Sequence, residues 1–201
     1  MAEKTAPLPS SPLVPGPGAG RTRLGLADLL ELPQNGKRYE ILDGDLNVSP
    51  APSLRHQRIV LRIATALLAL QHAGRGEVFV APVDVVLDPH TIVEPDVVFV
   101  SKERSSILGA QRMEGAPDLV VEVFSPSSRR TDVLVKAPLY ARFGVRLYVV
   151  VDPDLDRLEV FRLEGSGSHG GYVNVGAHSK PALVRLDDLF GVELDLGAIF
   201  A

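Results

Sequence analysis

The chain has 201 residues, 45% of them hydrophobic and 23% charged, which suits a globular fold with a sizeable core. Its formal net charge of −4 excludes a general attraction to polyanions, so a nucleic-acid partner would need a local basic patch or cations gathered by carboxylates. With no cysteine, a disulfide framework and thiolate metal sites are excluded; this is compatible with a reducing cytoplasm, where the protein is expected.

Residues 1–20 are dense in Pro, Gly, Ala and Ser and read as a flexible tail, with no apolar segment of the kind a signal peptide needs. One domain is expected over 21–201. "RTRLGLADLLELP" predicts a short helix ending at Pro33, and "RYEILDGDLNVSP" predicts a hairpin around its Asp-Gly. A long helix follows, with Ser53 as N-cap, a stripe of Ile59, Ile63, Ala66, Leu67 and Leu70, and Gly74 as its stop. Three apolar strands come next: "VFVAPVDVVLD", "EPDVVFVSK" and "PDLVVEVFS". "SSRRTDVLVKAPLYARFG" predicts a second helix, which Pro138 should kink. "RLYVVVDPDLDRLEVFRL" predicts two strands, followed by another near Gly171 to Val175 and a short terminal helix. Strands with one helix before them and one among them indicate an α/β sheet core. No stretch is long and apolar enough to span a bilayer.

"PDLVVEVFSP" places Glu122 inside a run that reads as a buried strand. An unpaired carboxylate there costs several kcal/mol, so Glu122 must be protonated, paired or bound to a metal. Asp96 sits at the mouth of another apolar strand. If the strands are neighbours, the two acids converge and suit a hard cation such as Mg²⁺; otherwise Asp96 caps a loop and Glu122 pairs with an arginine. On the following helix Asp132, Lys136 and Tyr140 share a face. Lys136 then either forms a surface ion pair or leans over the acids, where it could orient a water or help deprotonate it.

Asp followed by Glu on adjacent strands after a Pro-Asp resembles the PD-(D/E)XK, or restriction-endonuclease-like, nucleases. In order, "RYEILDGDL", "SPAPSLRHQRIV", "APVDVVLD", "EPDVVFVSKER", "EGAPDLVVEVFSPSS" and "YVVVDP" resemble the Uma family within that superfamily, from about Arg21 to the C-terminus. The resemblance implies a restriction-endonuclease-like central mixed β-sheet flanked by helices and a Mg²⁺- or Mn²⁺-dependent DNA endonuclease. It implies Asp96 and Glu122 as metal ligands, joined by the main-chain carbonyl of Val123, and Glu40 as the acid of the first motif. The superfamily's usual lysine position holds Phe124, and the Uma pattern maps the lysine to Lys136. After Gly144-Val145 the family's Pro-Glu-Tyr-Trp is replaced by Arg146-Leu147-Tyr148-Val149.

His56 matches a family histidine and is expected to support the site or to contact phosphate. Asp84 is expected beside Asp96, either as a further ligand or, the favoured reading, as a hydrogen-bond partner that orients one. Arg55, Arg58 and Arg62 along the long helix, with Arg129 and Arg130, are candidate phosphate contacts, and "SPSSRR" offers helix-start N–H groups. Two further hypotheses stand beside the nuclease: a silent nuclease-like binding module, and a hydrolase of small phosphate esters. Cutting both strands would favour a homodimer.

Overall fold

A computed structural model describes residues 23–33, 35–125, 128–165 and 170–201; the expected tail lies outside them. The first helix, α1 (Leu26–Leu30), stops short of Pro33. β1 (Arg38–Leu42) and β2 (Asp45–Ser49) form the expected hairpin, and its turn residues Asp43 and Gly44 have φ of 54° and 91°. Asp-Gly supplies that left-handed pair at little steric cost. α2 (Leu54–His72) starts at Ser53, whose hydroxyl accepts the His56 N–H, and buries Ile59, Ile63, Leu67 and Leu70. Ala66 packs at the edge of that stripe. Burying each large side chain stabilises the fold by roughly 1.5–3 kcal/mol relative to exposure.

The run "VFVAPVDVVLD" is two strands and not one. β3 (Gly76–Val80) and β4 (Val85–Asp88) belong to different sheets. Pro82 between them has no N–H to give a ladder, and the chain changes sheet there. β5 (Thr91–Val93), β6 (Val97–Ser101), β7 (Met113–Glu114) and β8 (Leu119–Val123) follow. A crossover of α3 (Arg129–Thr131), a π-helical turn over Asp132–Lys136 and α4 (Ala137–Phe143) leads to β9 (Leu147–Asp152). The chain closes with β10 (Arg157–Glu164), β11 (Gly171–Ser179), β12 (Leu183–Leu186), β13 (Val192–Asp195) and α5 (Leu196–Ile199).

Pro138 does not interrupt a regular helix. It falls in the first turn of α4, directly after the wider π turn, in which the Ala137 N–H bonds back to the Asp132 carbonyl. The carbonyl of Asp132, at the start of that turn, accepts the hydroxyl of Tyr148 at 3.1 Å.

The main sheet has the order β11-β10-β9-β8-β6-β3, with β8 and β9 parallel and β6 and β8 antiparallel. A smaller sheet, β2-β1-β5-β4-β7, carries the hairpin, and β12 pairs with β13. Both faces of the main sheet are covered. Leu119, Val121 and Val123 of β8 pack with α2 and the C-terminal elements, whereas Val120 packs with Ala137, Leu139 and Tyr140 of α4. Burial on two sides explains why β8 reads as a continuous apolar run.

Candidate active site

The period of two along β8 turns Glu122 towards α4, the same side as Val120. β6 and β8 pair with Val97 opposite Val121, and one further step in that register sets Asp96 across from Glu122. The neighbouring strands that convergence requires are therefore present. Both acids are buried, at 2% exposure each.

Glu122 meets its neighbours through one oxygen. Lys136 Nζ donates to Glu122 Oε1 at 3.0 Å and Tyr140 donates to the same atom at 2.7 Å. Lys136 also lies 2.8 Å from Glu40 Oε1 and 3.5 Å from Asp132 Oδ1. Glu40, from β1, is fixed by the Asn47 amide at 3.0 Å and the Glu94 N–H at 3.0 Å. Lys136 is thus a buried cation enclosed by carboxylates, and not a surface ion pair. Burial alone would lower its pKa, but Glu122, Glu40 and Asp132 hold it above the ordinary lysine value. Burial pushes the Glu122 carboxyl up to about 8 despite the pull of Lys136, with Asp132, Asp96 and Glu40 adding to the rise. Asp132 is raised by burial as well.

Asp96 has a different set of partners. Oδ2 accepts the Val123 N–H at 2.8 Å and lies 3.1 Å from His56 Nε2. Oδ1 accepts Arg38 Nη1 at 2.8 Å. Burial works to raise this carboxyl, but the His56 hydrogen bond, the Arg38 charge and the Val123 N–H outweigh it and hold Asp96 below its usual range. The arginine that sequence reasoning assigned to Glu122 as an alternative is therefore on Asp96, and a lysine is on Glu122.

Arg38, Glu40, His56, Asp96, Glu122, Val123, Asp132 and Lys136 line one cleft of about 390 Å³, whose rim includes Pro50, Pro52, Arg55, Phe124, Ser128 and Pro153. Of the remaining expected residues, Asp84, Arg58, Arg62, Arg129 and Arg130 do not line it. Asp84 is half-buried, its carboxyl raised by burial against the pull of Arg112, and it does not line this cleft. Arg55 reaches the Pro153 carbonyl and Asp156. Arg62 donates to the carbonyls of Ile199 and Ala201. Arg129 pairs with Asp152 and lies over the Phe124 ring. Arg58 and Arg130 are exposed. Two residues of "SPSSRR", Pro126 and Ser127, lie outside the described residues. Val123 contributes its N–H to Asp96, and its side chain belongs to the α2-side core.

Arg38, Glu94 and Asn47 were missed in the sequence. A signal existed for Arg38: it precedes Glu40 by two positions on β1, so the two side chains share a face.

Among the described residues, no three His, Cys, Asp or Glu side chains converge as a protein-only cation cage requires. Mg²⁺ is commonly held by one or two carboxylates, with water and phosphate oxygens completing its shell. Asp96 and Glu122 are hard oxygen donors on one cleft, and Glu122 Oε2 accepts no hydrogen bond from the described residues. The donor set fits such an ion in kind, with Arg38 and Lys136 balancing the carboxylates in the protein alone.

A mixed sheet flanked by helices, with acids at one end of two adjacent strands and a lysine from the crossover, defines a restriction-endonuclease-like α/β fold. The chain matches the family model Uma2, described as "Putative restriction endonuclease", over residues 26–197. It belongs to that family. A solved structure described as a "putative nuclease belonging to DUF820" from Anabaena variabilis ATCC 29413 is similar in fold, with a TM-score of 0.68 and 18% sequence identity, covering 88% of this chain and 97% of that one. No curated protein matches the chain. Among the described residues, no helix is long and apolar enough to cross a membrane.

Proposed function

We propose that the chain is a Mg²⁺- or Mn²⁺-dependent DNA endonuclease of the PD-(D/E)XK type, a cytoplasmic enzyme with one catalytic domain over 21–201. The observation that carries this reading is the placement of Asp96 and Glu122 across the β6–β8 pair, in one cleft with Lys136. Membership of the Uma2 family supports it.

Asp96 and Glu122 would hold the ion, with the Val123 carbonyl as a third oxygen. Bound there, a divalent cation lowers the pKa of a water and stabilises charge on the phosphate. In the reaction, the water oxygen bonds to phosphorus and one P–O ester bond breaks. One water proton ends on the leaving oxygen, and the other stays with the new phosphate monoester. Lys136 is held in its protonated form by the acids around it, so its part is donation: it orients the water and offsets charge on phosphate. The sequence reading also allowed Lys136 as a base, and a raised pKa disfavours that role. Glu40 and Asp132 fix the lysine, Tyr140 fixes Glu122, and His56 fixes Asp96.

Purified protein with Mg²⁺ should nick supercoiled plasmid, and Asp96→Ala should abolish nicking; full activity in that variant removes the assignment. Double-strand cutting would call for a homodimer, which sedimentation in the presence of DNA would reveal. One observation favours a second reading, the silent binding module: Asp96 and Glu122 are already matched by Arg38 and Lys136, and Phe124 stands at the superfamily's usual lysine position. Calorimetry decides, since a silent module takes up no Mg²⁺ or Mn²⁺ at millimolar concentration.

A further inference from the structure

Arg38 begins β1, opposite Ser49 of the hairpin, and its guanidinium crosses to the segment that leads into β6. Nη1 donates to Asp96 Oδ1 at 2.8 Å, and Nη2 donates to the main-chain carbonyl of Glu94. Nε lies 2.8 Å from Glu94 Oε1, yet the two are not aligned for a hydrogen bond, and both atoms remain unsatisfied. Two of the three guanidinium nitrogens are thus hydrogen-bonded, and the third is held by charge.

The two cations of the cleft differ in freedom. The Lys136 side chain is 4% exposed, enclosed by Glu40, Glu122 and Asp132, whereas that of Arg38 is 19% exposed. Both line the cleft, and Arg38 is the more open of the two towards its solvent side. The two oxygens of Asp96 differ in the same way. Oδ2 is engaged by a backbone N–H and by His56, both anchored in regular structure. Oδ1 is engaged only by Arg38 among the described residues. A cation approaching Asp96 meets its available oxygen already covered by a positive group.

A guanidinium that leaves a carboxylate in such a cleft has a natural second partner in a phosphodiester, which offers the same planar pair of oxygens. We propose that Arg38 is a positioning residue that couples substrate to metal: it covers Asp96 Oδ1 in the free protein and moves onto the incoming phosphate, releasing that oxygen to the divalent ion. The inference rests on the metal-dependent reading above. It makes Arg38 a competitor of the ion in the absence of substrate, so removing it should improve metal binding, an outcome that structural damage does not produce.

The test is calorimetric titration of Mn²⁺ into the wild-type chain, Arg38→Gln and Asp96→Ala, each without DNA. Arg38→Gln should bind Mn²⁺ about fivefold more tightly or better, the lower end of ordinary coupling between two sites. A phosphorothioate-linked dinucleotide should tighten Mn²⁺ binding to the wild type by more than it does for Arg38→Gln. Should Arg38→Gln not fold, Arg38→Lys takes its place: it keeps the charge, lacks the fork that grips Asp96 and Glu94 together, and should still bind Mn²⁺ more tightly than wild type. Equal affinity in wild type and the Arg38 variant, lost in Asp96→Ala, overturns the coupling and leaves the metal site standing. No Mn²⁺ binding in any of the proteins overturns both.

Discussion

Asp96 and Glu122 face each other across two adjacent strands, and each is met by a cation from a different part of the chain: Arg38 from the hairpin and Lys136 from the crossover. The apolar strand tolerates its acids because the surrounding segments bring them charge and donors. Glu40, Glu94 and Asp132 add further carboxyls, so acids outnumber the permanent cations. Among them, burial pushes Glu122 up to about 8.

Lys136→Met should therefore do more than remove activity. It leaves Glu40 and Glu122 buried without their cation, a change that typically costs about 3–5 kcal/mol. The loss should be larger at about pH 8 than at about pH 5, because protonation relieves the stranded acids. Urea unfolding at the two pH values checks this; a loss independent of pH would mean that the lysine contributes packing only.

The stability of the metal-free protein should fall as pH rises. Glu122 has an ordinary value of 4.5 and a folded value of about 8, so the folded chain binds more protons than the unfolded chain between them. Its contribution is full below 4.5 and is lost as pH climbs through about 8. Glu94 and Asp132, also raised by burial, act in the same direction. Asp96, held low, gives the opposite slope, but only in acid, below its ordinary 3.8. Glu122→Gln should flatten the fall between 4.5 and about 8, as thermal melts across this range would show.

Asp96→Asn and Asp96→Ala separate folding from chemistry. Alanine strands the Val123 N–H and the Arg38 guanidinium, at about 1–3 kcal/mol for a buried group left unpaired. Asparagine keeps an oxygen for the N–H and should be the milder change in stability. Both should lose nicking entirely. Retained cutting by the asparagine variant would show that the negative charge at 96 is not needed.

The salt dependence of DNA binding should distinguish arginines that look alike in the sequence. Arg58 and Arg130 are exposed, and replacing either by alanine should lower the log–log salt slope by about 0.9 if it touches a phosphate. Arg62, spent on the carbonyls of Ile199 and Ala201, should change thermal stability and leave the slope alone.

What could be seen in the sequence was what depends on near neighbours. The Ser53 cap, the α2 stripe and the Asp43-Gly44 turn are local patterns, and each appears where it was expected. The convergence of Asp96 and Glu122 was legible only on condition that two apolar runs were neighbours, and β6 and β8 do pair. Less visible were features set by distant packing. The break at Pro82 sends β4 into a second sheet, and Asp84, just before it, acts on Glu94 and does not line the cleft. Arg38 was overlooked because the carboxylate it meets lies 58 residues along the chain. Next to Pro138 the helix does depart from regular α geometry, but as a π turn, which has no signature in periodicity.

The π turn and crossover have a consequence for how the protein matures. Glu40, Asp96, Glu122 and Lys136 come from separate segments, and the last of them arrives only when the link between β8 and β9 has docked. A partly synthesised or half-folded chain carries the strand acids without their lysine. Any chemistry of this cleft therefore requires the crossover to be docked against β8 as well as the strands to be paired.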